Sequence, residues 1–350
     1  KNILVFTAAL LSTYWSYGQN AFIKMYNATG SPRTDMAQLS NGNILIGSSF
    51  SSGFSTFDQH GNINTTFSYT IDTMLAMQAA TNLNDSTFYF TSTYYKDTCT
   101  TFPGVATNSY PALTKIDVNG NILWSHYFPL NTDGCMNFAK GLTIIQNNSI
   151  LVWGGGFCLR TDLNGELLWA KKIQFESAGF DFFKELPNGD ILAGLRVFSD
   201  ELGAAGGAAL VRMDSTGNIL WSKTYFQPVG LANDALVESD GSILVAGFTE
   251  PTAGIFDPQV TPILYLMKLD PDGEVLWCKG YNSAPRNWYT HDAIRMERAL
   301  DGNPVLLANM GTVGYNYWSR NVLVKFDQNG DTLWTRSINT APYPQQSRSL

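Results

Sequence analysis

One ten-residue phrase recurs along this chain and narrows its fold more than any other feature. Its form is basic-x-Asp-x-x-Gly-x-x-Leu-Trp, and it runs Lys115–Trp124, Arg160–Trp169, Arg212–Trp221, Lys268–Trp277 and Lys325–Trp334. An earlier, degenerate copy, Phe57-Asp-Gln-His-Gly-Asn-Ile63, lacks the Trp. In each copy the Asp opens a turn by accepting backbone hydrogen bonds just ahead of it. The Gly then supplies the positive φ that closes a β-hairpin. Between copies lies a second hairpin with its own glycine, as in Leu39–Ile46, Leu186–Ala193, Val237–Val245 and Arg298–Val305. Two hairpins make four strands in a unit of about 50 residues, the size of a propeller blade. A solenoid needs a shorter, more regular repeat, and two β-sandwiches would not repeat at this period.

The expected fold is therefore all-β, a β-propeller of four-stranded blades with strands A and B, then C and D around the Asp-x-x-Gly turn. Six blades are visible, the first from about residue 36 to 69 and the sixth ending near Ile338. Ala21–Tyr26 reads as an orphan D strand, because Lys24-Met-Tyr26 matches Lys223-Thr-Tyr225. An N-terminal strand that completes the last blade removes exposed edges. This predicts a seventh blade whose strands A to C follow the sixth, with Ser347–Leu350 beginning one. The rival is a six-bladed ring carrying Ala21–Tyr26 as an extra edge strand. Only 15% of residues are charged, whereas Gly (31), Phe (21), Tyr (16) and Trp (9) abound. That balance suits short strands and tight turns. The five repeated tryptophans sit at one fixed place in the unit, so they are expected to pack between neighbouring blades.

The chain opens with Lys1-Asn2, an apolar run Ile3–Leu11, and Ser16-Tyr17-Gly18. This pattern predicts a signal peptide over residues 1–18, cleaved after Gly18, and hence a secreted or cell-surface protein. Residues 19–350 form the propeller domain, expected to be truncated at its C-terminus. The apolar run is well short of the ~20 residues a membrane span needs. A net charge of −7 and the lack of any basic run exclude nucleic acid as the partner. On the strand map, Cys99 lies in the B–C loop of blade two and Cys135 in the crossing to blade three. Both emerge on one face, which predicts a Cys99–Cys135 disulfide. Cys158 and Cys278 fall in or beside strands and are expected to be buried free thiols. No CxxC pair suggests zinc, and His60, His126 and His291 are too scattered for a triad or a metal cluster.

The pattern Lys-x-Asp-x-x-Gly-x-x-Leu-Trp resembles PQQ-like propeller repeats over residues 36–338. It is most similar to secreted propeller proteins of the Bacteroidetes, which implies delivery by type IX secretion. The resemblance is specific for fold and weak for function, since propellers host many activities. A quinone-dependent dehydrogenase would need a vicinal cysteine pair, and no Cys-Cys occurs. The repeat also misses the spacing of sialidase Asp boxes. No cofactor is expected. The turns at Asp117, Asp162, Asp270 and Asp327 superficially resemble calcium loops, but a strand starts where a bidentate Glu would be needed. They read as hairpin turns, and no metal is expected.

No catalytic residue stands out. The sharpest functional feature is aromatic: Tyr94 and Tyr95 in blade two, Arg286, Trp288 and Tyr289 entering blade six, and Tyr315, Tyr317 and Trp318 in its B–C loop. Exposed rings beside Asn and Arg suit stacking on sugars or a protein hot spot. The expected function is a binding or scaffolding module for an extracellular glycan or protein. One alternative is a hydrolase or lyase using acids at the mouth of a central channel, with Asp35, Asp181, Asp234 and Asp292 near the starts of A strands. The other is a structural subunit of a larger extracellular assembly.

Overall fold

The structure, a computed structural model, describes residues 3–6, 24–27, 36–38, 43–48, 53–58, 60–68, 74–84, 87–96, 108–117, 119–130, 138–146, 148–172, 177–197, 207–225, 230–249, 263–281, 288–290, 295–312 and 319–338. All regular structure among them is β-strand. The chain divides into two compact units, Lys1–Ala8 with Gly18–Phe175, and Ala9–Tyr17 with Glu176–Leu350.

In the first unit β1 (Ile3–Phe6) pairs antiparallel with β2 (Lys24–Asn27). The predicted N-terminal strand therefore exists but is not an orphan, because its partner lies in the stretch expected as a leader. Three four-stranded antiparallel sheets follow. Sheet one holds β3 (Met36–Gln38), β4 (Ile44–Ser48), β5 (Gly53–Phe57) and β6 (Ile63–Ser68). Sheet two holds β7 (Met74–Asn84), β8 (Thr87–Lys96), β9 (Asn108–Asp117) and β10 (Ile122–Tyr127). Sheet three holds β11 (Ala139–Ile145), β12 (Ser149–Gly154), β13 (Phe157–Asp162) and β14 (Leu167–Lys172).

The second unit repeats the plan. Sheet four holds β15 (Ser177–Glu185), β16 (Ile191–Val197), β17 (Gly207–Met213) and β18 (Ile219–Tyr225). Sheet five holds β19 (Leu231–Val237), β20 (Ile243–Phe248), β21 (Leu264–Leu269) and β22 (Val275–Tyr281). In sheet six the first strand is split into β23 (Trp288–Thr290) and β24 (Arg295–Arg298), both paired with β25 (Pro304–Thr312). Strands β26 (Ser319–Phe326) and β27 (Thr332–Ile338) complete it. These are the six predicted four-stranded sheets. In sheet three Asn148, at φ 51°, takes the left-handed position that a glycine fills in other first hairpins.

The repeated turn works as the sequence suggests. The Asp327 carboxylate accepts the backbone N–H groups of Asn329 and Asp331, each at 2.8 Å. The Gly330 N–H returns to the Asp327 carbonyl at 3.1 Å. Beyond the turn lies a feature the sequence hid. In all six outer hairpins the register slips by one residue just after the turn, as where Lys268 faces Trp277 but Leu269 faces Val275. The residue left over is Leu123, Leu168, Leu220, Leu276 or Leu333, and Asn64 in sheet one. Such a bulge re-aims every side chain after it. The bulged leucines consequently face solvent, at 51–56% exposure.

Re-aiming brings the tryptophan onto the neighbouring sheet. On β18, Trp221, Lys223 and Tyr225 alternate along one face and together hold the turn of sheet five. The Tyr225 hydroxyl donates to the Gly273 carbonyl at 2.7 Å, and Lys223 Nζ reaches Glu274 at 2.6 Å. Trp221 lies so close over Gly273 that a Cβ there would meet its ring at 2.9 Å. Sheet five holds sheet six by the same three residues: Trp277 over Gly330, Tyr281 to the Gly330 carbonyl, and Lys279 to Asp331. In the first unit Trp124 and His126 cover Gly165, and the Tyr89 hydroxyl donates to the Leu163 carbonyl at 3.1 Å. Deeper between the sheets lie apolar layers such as Leu192, Leu210, Val245 and Met267, or Leu266, Leu306, Met296 and Phe326. The indoles thus close the outer margin of an otherwise aliphatic interface.

Two outcomes test this account. Gly330 and Gly302 share φ near +80°, but Gly302 faces open space while a Cβ on Gly330 would stand 2.6 Å from Trp277. Both Gly→Ala changes carry left-handed strain of about 1–2 kcal/mol. Gly330→Ala should cost a further 1–3 kcal/mol, roughly, from overpacking, measured by urea denaturation. The excess should vanish in a Trp277→Ala background, and equal costs would remove the indole contact as a stabilising element. The second outcome concerns acid. The Thr216 hydroxyl and the Asn218 N–H hold the Asp214 carboxyl down to about 2, and the Asn62 backbone N–H lowers Asp58 likewise. The unfolded chain, with carboxyls near the ordinary ~4, takes up protons first. Stability from these turns is complete above ~pH 4 and drains away as pH falls toward 2. Thermal melts across that window should show the fall, and Asp214→Ala should make it shallower.

Candidate functional site

The acids come first, because they decide whether acid–base chemistry is within reach. Asp234 follows a bulge in β19, where Ala232 faces Gly247 and Asp234 faces Ala246. It is only 2% exposed. One carboxylate oxygen accepts the Ala235 N–H at 2.9 Å and meets Lys184 Nζ at 3.0 Å. The other accepts the Met296 N–H at 2.9 Å. Asp234 therefore ties the first strands of three successive sheets, β15, β19 and β24. Asp234, singled out as an acid to check near a channel mouth, is thus a structural pin, because both its carboxylate oxygens are engaged. Its buried charge is tolerated because a cation and two N–H groups replace water.

Asp181 sits at the corresponding bulge of β15, between Phe180 facing Leu195 and Phe182 facing Gly194, and is half-buried. In the first unit Lys140 occupies the same step of β11. In sheet five the residue at this bulge is Asn233, one before Asp234, so a polar residue stands there in three sheets. Asp35 and Asp292 lie outside the described residues.

Of the aromatic residues singled out in loops, Tyr94 lies on a strand and belongs to a cluster of three tyrosines. Tyr94 on β8 lies directly across from Tyr110 on β9. Its ring stacks on Tyr127, with centroids 4.8 Å apart and planes at 22°. Tyr110 closes on the same ring at 6.1 Å. Tyr127 is 42% exposed, and Tyr94 and Tyr110 are partly so. Three residues beyond Trp124 in a regular stretch, Tyr127 points to the opposite face of the sheet. Tyr110 and Tyr127 were missed because they lie on separate strands, and only the register brings them beside Tyr94. Tyr95 follows on β8, while Trp288 and Tyr289 form most of β23. The side chains of these three, and all of Arg286, Tyr315, Tyr317 and Trp318, lie outside what is described.

Cys158 is fully buried in β13, and burial pushes its thiol up to about 12, so it stays protonated and unreactive. Cys278 corrects the expectation of a second buried thiol. The bulge before Trp277 turns it outward, and it is exposed on β22. Cys99 and Cys135 lie outside the described residues. His126 packs on Trp124 with ring centroids 4.9 Å apart, and His60 is exposed in its turn.

No protein-family model matches the chain, and no curated protein matches it. Solved structures do. Virginiamycin B lyase from Staphylococcus aureus aligns with a TM-score of 0.53 at 14% identity, over 88% of this chain and 85% of its own. A streptogramin B lyase aligns at 0.51 and 13%, over 82% and 80%. A Trp→Ala variant of the Synechocystis apocarotenoid oxygenase aligns at 0.50 and 10%, over 89% and 72%. These proteins are propellers, and at such identities the likeness carries the fold alone. This chain is a β-propeller.

The pin at Asp234 has a measurable consequence. Asp234→Ala strands two buried N–H groups and Lys184, and losing a buried partner costs about 3–5 kcal/mol, nearer 3 here because Lys184 is 31% exposed. Asp234→Asn, which keeps an acceptor, should cost only about 1–2 kcal/mol. Chemical denaturation distinguishes them. Wild-type stability in both variants would return Asp234 to the pool of available acids.

Proposed function

We propose that this propeller is an exported binding module, and that its tyrosine cluster on sheet two engages a glycan. The carrying observation is the stacked, solvent-facing group of Tyr94, Tyr110 and Tyr127. Flat aromatic faces with hydroxyls at their rims offer an apolar platform and hydrogen bonds together. Ring carbons and hydroxyls of a sugar need both. Two stacked side chains with few rotatable bonds also lose little entropy on binding. Asp234 supports binding over hydrolysis or elimination, because its oxygens are already engaged. Export rests on the leader-like residues 1–18 and on the resemblance to secreted propellers.

The full chain should bind a subset of polysaccharides on a glycan array, with affinity then measured by calorimetry on the oligosaccharides that score. Joint replacement Tyr94→Ala and Tyr127→Ala should weaken binding at least tenfold, about 1.4 kcal/mol. Tyr→Phe at the same positions keeps the platform and should cost less. Undiminished affinity in the double alanine variant would remove this face from the binding reading.

A further inference from the structure

The clasp that joins consecutive sheets recurs on β27, where no described turn of the second unit follows to fill it. On β18 and β22 the clasping residues are Trp221, Lys223 and Tyr225, then Trp277, Lys279 and Tyr281. On β27 the same steps carry Trp334, Arg336 and Ile338. The bulge is present there too, with Lys325 facing Trp334 and Phe326 facing Thr332. The cation is also poised alike. Arg336 lies 5.5 Å from the Trp334 ring centre, compared with 5.8 Å for Lys223 over Trp221 and 5.7 Å for Lys279 over Trp277.

Coverage is what differs. Along β18 and β22 exposed positions alternate with shielded ones, and the shielded ones are those under the next turn. Along β27 every residue from 332 to 337 is exposed, Trp334 at 37%. An indole and a guanidinium are held in clasping geometry with no described turn of their own unit beneath them.

We propose that this face of β27 is a docking site for one further hairpin turn of the form Asp-x-x-Gly-(Asp or Glu), belonging to an additional unit of the same repeat. Continuity argues for it, since the same strand face in sheets four and five is an established interface for such a turn. So does charge, because both filled clasps of the second unit set their cation against the acid that follows the glycine, Glu274 and Asp331. Arg336 offers a planar fork to that carboxylate. Ile338 has no hydroxyl for the glycine carbonyl, so this clasp relies on the indole and the ion pair. A second copy of the described residues fits poorly. The acid-bearing turns at Glu166, Glu274 and Asp331 already sit under Trp124, Trp221 and Trp277.

The test uses a side-chain-cyclised hairpin peptide of residues 268–277, which carries the Asp270–Glu274 turn. It is titrated into the full chain by calorimetry, with the Trp334 indole signal followed by NMR. Saturable one-to-one binding is expected, weakened at least tenfold by Trp334→Ala and by Arg336→Glu. A peptide with Lys at the Glu274 position should recover binding to Arg336→Glu. Because β27 is exposed, neither substitution removes core packing, and circular dichroism checks the fold. The proposal is overturned by no saturable binding at millimolar peptide, by binding indifferent to Trp334→Ala, or by failure of the charge swap to rescue. Concentration-dependent self-association abolished by Trp334→Ala, without peptide binding, would also overturn it by making a second copy the occupant.

Discussion

The contact on which this architecture depends is an indole laid over a backbone that has no side chain. Each turn glycine serves twice. Its positive φ closes the hairpin. At Gly165, Gly273 and Gly330 its missing Cβ lets the tryptophan of the preceding sheet settle on the peptide, while at Gly120 a Phe67 ring does so. The tryptophan reaches it only because the strand bulges one residue earlier, leaving a leucine outside. Turn, bulge and clasp are therefore one device spread over ten residues. That explains why the phrase recurs as a whole while the rest of each unit drifts. Loss of any part exposes an edge of the aliphatic layer between sheets.

Much of this was legible. Hairpin chemistry is local, so Asp-x-x-Gly between apolar runs announces a turn wherever it occurs, and two such turns per unit fix a four-stranded sheet. The boundaries came out well for the same reason, with β3 starting at Met36 and β27 ending at Ile338. Matters set by register were not legible. Strict alternation along Val-Leu-Trp-Cys gives no sign of the slip at Leu276, and so Cys278 read as interior. The partner of β2 was unreadable because a short strand carries no mark of which edge it will choose.

Site residues were hardest to read, for a related reason. Positions that recur in every unit are those that packing demands, so a clue to binding must lie where the units differ. Tyr127 is such a place, since the same step of the outer strand holds Thr224 in sheet four and Gly280 in sheet five. Asp234 shows the opposite hazard. An acid near the start of an inner strand looks available, and only three-dimensional neighbours disclose that Lys184 and the Met296 N–H have claimed it. Carboxylates that pin first strands together and carboxylates that transfer protons look alike in a sequence.

The outer strands pose one more physical problem, and the clasp answers it. In sheets two to six the fourth strand has an edge that pairs with no described strand and a bulged leucine beside it, a combination that invites another chain to pair. A cation two residues beyond each of the five tryptophans or, in sheet two, a histidine, stands on that strand: His126, Lys171, Lys223, Lys279 and Arg336. Where it bonds the acid of the next turn, the cation helps hold the sheets together while its charge discourages strand addition. Substituting an apolar residue there would remove both effects at once. The edge would then become most adhesive in the very variant whose sheets were least well joined, which gives this position a stronger constraint than its exposure suggests.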